Sequence, residues 1–350
     1  MKKIKVLIVD DSALIRQVMT QILSETYDME VVGAAIDPYD AREKIKKLNP
    51  DVLTLDVEMP RMDGITFLGN LMRLRPMPVV MVSTLTEQGA EVTLRALEYG
   101  AVDFVAKPKI DVEESLKAYG KEIVSKIRIA SRARVKPLER EAIKAVSKSA
   151  VSSGSGHFRT TNKLIGIGSS TGGTEALKVV LAAMPTHMQA GVVISQHIPP
   201  AFSEPFAKRL DSISPLRVCQ AEDGQQILSG HAYLAPGDKH LKIERDGAQY
   251  ICRLDDGPLV NHHKPSVEVM IQSMVECVGK NAIGCMLTGM GADGAESMGA
   301  LKKQGAPIIV QDEKSSVVWG MPGEVVKRGF ADEVLTLNKV GPRLVELLDD

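Results

Sequence analysis

The chain has 350 residues, 44% apolar and 25% charged, enough for two ordinary globular domains. Its 43 Lys and Arg against 44 Asp and Glu leave a net charge of −1, so no general attraction to nucleic acid or to an acidic membrane is expected. No run of about 18 apolar residues offers a membrane span. The four scattered cysteines (Cys219, Cys252, Cys277, Cys285) form no CxxC pair and suit a reducing cytoplasm better than a disulfide scaffold or zinc site.

The opening MKKIKVLIVDDS carries an apolar run that is short and ends in two acids, which reads as a buried strand rather than a signal peptide. Up to about residue 120, the apolar runs KVLIV, EVVGAA, VLTLD, VVMVS and VDFVA alternate with stretches of helical spacing such as ALIRQVMTQILSE. Five strand–helix repeats predict a (βα)5 parallel sheet covered on both faces. Ligands of such a sheet collect at the carboxyl ends of its strands. Asp10 and Asp11 follow the first run, Asp56 closes the third, Ser83 the fourth, and Lys107 with Pro108 follows the fifth. Three carboxylates suit Mg²⁺, which takes a few carboxylates plus phosphate oxygens and water. Asp56 can then accept a phosphoryl group as a nucleophile, Lys107 can neutralise charge, and Ser83 can hydrogen-bond a phosphoryl oxygen. Phe104 is a neighbour whose rotamer could follow the switch.

A helix-like stretch, EESLKAYGKEIVSKIRIA, is followed by a basic run rich in Ser and Ala that ends SSGSGHF. The run reads as a solvated linker. Domains are therefore expected at 1–120 and 161–350, with a linker over 121–160.

Strand and helix signals resume with KLIGIG, TEALKVVLAAMP and GVVISQH. Asp246-Gly247, between KHLKIER and AQYICRL, signals a hairpin. Helical SVEVMIQSMVECVG, buried AIGCMLTG and PIIVQD complete a second, doubly wound, mostly parallel α/β sheet with a β-hairpin attached. In IGIGSSTGGTEAL, Gly168, Ser170 and Gly172 spell G-x-S-x-G at a strand-to-helix turn, which would expose the hydroxyl above the sheet. A serine needs a base. His197 ends the next strand, and Asp293, in the Gly-rich turn of MLTGMGADG, can orient it. The order Ser, His, Asp differs from that of the α/β-hydrolases. His262 and His263, ahead of KPSVE, are the weaker alternative bases. A phosphate-binding turn at GSSTGG stays open, although no Walker lysine follows and the third glycine of G-x-G-x-x-G is absent. The alternative function is thus a module, controlled by the first domain, that binds a nucleotide or phosphopeptide. No helix-turn-helix pattern supports a transcription factor.

Taken together, the acid pair, Asp56 followed by VEMPRMDG, Ser83 and Lys107-Pro108 resemble a response-regulator receiver domain. IGSSTGGTEAL, SQHIPPAF, YLAPGDKHL, HHKPSVEVM, MLTGMGADGA and WGMPGEVV resemble the catalytic domain of the chemotaxis protein-glutamate methylesterases. The first resemblance implies that Asp11, Asp56 and the backbone carbonyl of Glu58 bind Mg²⁺, that Asp10 assists, and that the Lys107–Pro108 bond is cis. The second implies a Ser170–His197–Asp293 triad with no cofactor, an oxyanion donor in the Met290 N–H, and Thr171 beside the nucleophile. Its substrates would be glutamate methyl esters and chosen glutamines of methyl-accepting chemotaxis receptors. The phosphodonor would be the chemotaxis histidine kinase, and the unphosphorylated receiver would restrict access to the triad. Two departures are Ser169, where alanine is expected, and Lys264, where arginine is expected. The latter exchange loses a bidentate fork.

Overall fold

The computed structural model describes residues 2–84, 86–107, 113–135 and 163–349. The chain divides into two units, one within 1–141 and one within 142–350.

The first unit runs β1 (Ile4–Val9), α1 (Ala13–Ser24), β2 (Met29–Ala35), α2 (Pro38–Leu48), β3 (Val52–Asp56), α3 (Gly64–Leu74), β4 (Val79–Ser83), α4 (Glu87–Glu98), β5 (Asp103–Ala106) and α5 (Glu113–Ala130). Its five strands pair in parallel in the order β2-β1-β3-β4-β5. Val6, Leu7, Ile8, Leu53, Leu55, Val80 and Met81 are fully buried, which is why these strands read as continuous apolar runs rather than as alternation. Ser12, Asp37, Asp63 and Thr86 cap the four helices that follow, each accepting a bond from a first-turn N–H. The strand order reverses between β1 and β3, so the crevice outside their carboxyl ends holds Asp10, Asp11 and Asp56.

The expected boundary at 120 falls inside α5. Ile123, Ile127 and Ala130 bury their side chains completely, and Arg128 forks onto Asp28 at 2.7 and 2.8 Å. A helix with an inward apolar stripe belongs to the body it packs on, so the helix-like stretch up to Ala130 is part of the first unit. The rest of the expected linker, from 136, and the Lys107–Pro108 bond lie outside the described residues.

The second unit runs β6 (Leu164–Ser169), α6 (Gly173–Ala182), β7 (Gly191–Gln196), α7 (Pro200–Ile213), β8 (Arg217–Gln220), β9 (His231–Leu234), β10 (His240–Asp246), β11 (Gln249–Asp255), α8 (Val267–Cys277), β12 (Ala282–Met286), α9 (Ala295–Lys303), β13 (Ile308–Gln311), α10 (Met321–Lys327), β14 (Glu333–Leu335) and α11 (Leu337–Asp349). Seven strands pair in parallel in the order β14-β13-β12-β6-β7-β9-β8. The segment HAYL therefore joins the main sheet as β9. The antiparallel hairpin is β10–β11, where Asp246 pairs with Gln249. Its two-residue turn is Gly247-Ala248, one position later than expected, with Gly247 at φ 57°.

The chain winds from β6 to one side and returns through β12 to the other, which makes the β12/β6 edge a switch point. Gly168 lets α8 lie almost directly on β6, since a Cβ there would come within 2.4 Å of Val267 Cγ1. That close approach brings the N-terminus of α8 to the carboxyl end of β6.

Candidate active site

Ser170 follows β6, and its backbone is held from both sides. Its N–H donates to Thr288 O at 3.0 Å, and its carbonyl accepts from Gly173 N at 2.7 Å. Gly172, at φ 77°, supplies the left-handed residue that turns the strand into α6. Gln196, the last residue of β7, locks this turn to the neighbouring strand. Its amide accepts from Ser169 Oγ at 2.7 Å and donates to the carbonyls of Ser170 and His197, each at 3.0 Å. Ser169 is fully buried, so the extra hydroxyl braces the turn through Gln196.

His197 follows β7, with only 9% of its side chain exposed. Its Nε2 lies 2.9 Å from Asp293 Oδ2, while its Nδ1 is buried without a hydrogen-bond partner. Among the described residues, Ser170 and His197 share no side-chain hydrogen bond. The Asp293 carboxylate is buried and richly bonded. Oδ1 accepts from Ser266 Oγ at 2.7 Å and Asn261 Nδ2 at 2.9 Å, and Oδ2 accepts from Val267 N at 2.7 Å. The last donor is the first N–H of α8, whose dipole favours an anion. Burial works to raise the Asp293 pKa, but the bonds and charge of His197 and the bonds of Asn261 and Ser266 outweigh it and pull the value down to about 2. An ionised Asp293 requires the His197 proton on Nε2. Nδ1 is then the acceptor a hydroxyl nucleophile needs.

The loop after β12 closes the site. A Cβ on Gly289 would lie 2.8 Å from Ser170 Cβ and 3.1 Å from Ser170 N, so this loop runs against the nucleophile turn. Met290 comes next, and its N–H has no hydrogen-bond partner among the described residues. Thr288 Oγ lies 3.0 Å from the carbonyls of both Thr171 and Val318, either of which can take its one proton, and accepts from Val318 N at 3.0 Å, joining the loop to the turn. Thr171 is buried beside Ser170.

The motif HHKPSVE serves the acid through Ser266 and Val267. Lys264 ion-pairs with Asp256 at 2.9 Å. His263 stacks on His197 with ring centroids 3.7 Å apart. The sequence does not single out Asn261, Ser266, Gln196 and Thr288 as site residues. The only signal is that Gln196, Ser266 and Thr288 lie inside conspicuous motifs and Asn261 directly before one.

In the first unit, carboxylate oxygens of Asp10, Asp11 and Asp56 all lie within 4.8 Å of one another. Lys107 Nζ donates to Asp56 Oδ2 at 2.7 Å and stands 3.8 Å from Asp10 Oδ2, which is buried without a hydrogen-bond partner. Burial raises the Asp56 pKa to about 6, with Asp10 adding to the rise and Lys107 limiting it. Burial likewise raises Asp10. Buried, under-satisfied carboxylates in such a cluster are a donor set suited to a hard divalent cation. The Glu58 N–H donates to Asp56 Oδ1 at 3.3 Å, which brings Glu58 to the rim of the cluster. Ser83 is buried, its hydroxyl directed at the carbonyls of Gly89 and Thr84, both at 3.3 Å. Phe104 is also buried, with Lys126 Nζ 5.8 Å from its ring centroid.

Family models agree with this division. Residues 6–119 match the response regulator receiver domain, and residues 165–344 match the CheB methylesterase. A protein-glutamate methylesterase/protein-glutamine glutaminase of Hydrogenovibrio crunogenus is 55% identical, with 99% of this chain and 100% of that one aligned. The chain belongs to the CheB methylesterase family. A protein-glutamate methylesterase/protein-glutamine glutaminase 1 of Xanthomonas euvesicatoria is 58% identical over 98% of this chain and 97% of its own. The crystal structure of the Thermotoga maritima CheB methylesterase catalytic domain matches 53% of this chain and 98% of its own, at 38% identity and TM-score 0.52. No helix among the described residues is long and apolar enough to cross a membrane.

Proposed function

We propose that this CheB methylesterase family member hydrolyses γ-glutamyl methyl esters of methyl-accepting chemotaxis receptors in the cytoplasm and deamidates chosen receptor glutamines. Ser170 Oγ bonds to the side-chain carbonyl carbon while its proton passes to His197 Nδ1. Asp293 balances the resulting imidazolium through Nε2, and the Met290 N–H stabilises the oxyanion beside Thr171. Collapse of the tetrahedral intermediate breaks the bond to the leaving group, which takes the proton from Nδ1 and departs as methanol or ammonia. Water attacks the acyl-enzyme through the same base, leaving glutamate and free Ser170. The observation that carries this reading is the His197–Asp293 pair, which leaves Nδ1 as the unengaged acceptor.

The receiver supplies the input. Asp56 accepts a phosphoryl group from the chemotaxis histidine kinase, and this raises esterase activity. Asp11, Asp56 and the Glu58 carbonyl would hold Mg²⁺ with help from Asp10, and the ion would supply charge neutralisation for phosphoryl transfer. Lys107 holds the Asp56 carboxylate in place, and Ser83 and Phe104 respond to the new phosphoryl oxygens.

A serine-directed acylating probe tests the nucleophile. The expected result is a single adduct mapped to Ser170, lost in His197→Ala. Labelling elsewhere, or ATP protection of the turn without acylation, would favour a nucleotide-binding module instead.

A further inference from the structure

His263 faces the ring of His197 with centroids 3.7 Å apart and planes 13° from parallel. The Ser-His-Asp reading gives it no role. Its own position is tightly built. His263 N donates to Val260 O at 2.9 Å, and Val260 N returns a bond to His263 O at 3.1 Å. The two residues between them, Asn261 and His262, both sit in the left-handed region at φ 52° and 67°. Such backbone is costly for non-glycine residues and persists where the surroundings hold it. The Asn261 side chain reaches Asp293, and three residues beyond His263 the Ser266 hydroxyl reaches the same carboxylate. One short loop therefore grips the acid at two points and covers the face of the base.

The base needs that cover. An imidazole rotates about its Cβ–Cγ bond in a broad, roughly two-fold potential. Only one of its two flat orientations puts Nε2 against Asp293 and leaves Nδ1 free. Exchanging them sweeps a ring edge out of plane, through space that His263 fills. The stacked ring blocks this motion without occupying a ring nitrogen of His197, so Nε2 stays with Asp293 and Nδ1 remains open to the nucleophile.

We propose that His263 is a positioning residue for the esterase reaction, a flat plate that holds the His197 imidazole in its productive orientation and takes no proton itself. This rests on the triad reading above. The test compares His263→Ala and His263→Phe in the full-length protein, by steady-state methanol release from a methylated receptor, with thermal unfolding to establish folding. Removing the plate should lower kcat about tenfold or more with KM changed less than about twofold, the signature of lost orientation. Phe, which restores a flat ring without a nitrogen, should recover kcat to within about threefold of the parent. A folded His263→Phe as inactive as His197→Ala would overturn the proposal by making the imidazole nitrogens essential. So would a His263→Ala with parental kcat. If Ala fails to fold, Phe alone decides. Turnover that survives Ser170→Ala would reject the triad reading itself, whatever the His263 variants do.

Discussion

Two buried aspartates in this chain, Asp56 and Asp293, have opposite fates. Both are nearly inaccessible and both face a basic side chain. Asp293 also accepts from Asn261, Ser266 and the first N–H of α8, and its pKa sinks to about 2. Asp56 has Lys107 and one long bond from Glu58, sits against the Asp10 carboxylate, one oxygen of which has no hydrogen bond, and rises to about 6. Burial penalises both charges, so the number of donors decides the sign. A fully satisfied carboxylate is a fixed part of the machinery, ionised at any working pH. An under-satisfied cluster stores unfavourable energy that a cation or a covalent phosphoryl group can release, which is what an input site requires.

The largest effect expected from this contrast is on rate. Asp293→Asn keeps the shape but loses the charge and can hold His197 in the wrong tautomer, so turnover should fall about 10³-fold or more with the fold intact. A drop under about tenfold, measured by methanol release, would mean that Asp293 is a structural cap at α8 and not the partner of the base.

The next effect is on stability, and its sign differs between the two acids. The folded Asp293 pKa lies below its unfolded value of about 4, so its contribution is present above that pH and is lost as pH falls through about 2. The folded Asp56 pKa lies above it, so its contribution is present below about pH 4 and is lost as pH rises through about 6. Asp56→Asn should therefore stabilise the first unit at pH 7 by on the order of 2–3 kcal/mol, with little difference near pH 4. Denaturant unfolding of the parent and variant at both pH values checks this. A gain that is absent at pH 7, or equal at both, would break the contrast. The same variant should lose all response to a phosphodonor.

The sequence carried the strands and the charged ends of both sheets well, because buried parallel strands are unbroken apolar runs and their ligands sit at or just beyond their last residues. Asp10, Asp56, Ser170 and His197 were legible for that reason. Asp293 lies beyond a Gly-rich turn, and its pairing with His197 could be reasoned only from the chemistry. The donors around it were hidden. Asn261, Ser266 and Val267 come from a loop whose course depends on α8 packing against Gly168, a contact across a hundred residues of sequence that no local pattern encodes. The boundary at 120 cuts through α5, although the stretch reads as helix-like and the spacing of Ile123, Ile127 and Ala130 marks its buried stripe.

The most direct test of the whole account is methanol release from methylated chemoreceptor membranes, with and without a small-molecule phosphodonor and Mg²⁺, for the parent, Ser170→Ala and Asp56→Asn. The account predicts release by the parent that the phosphodonor increases, basal release without that increase for Asp56→Asn, and none for Ser170→Ala. Release by Ser170→Ala, or an undiminished phosphodonor response in Asp56→Asn, would contradict it.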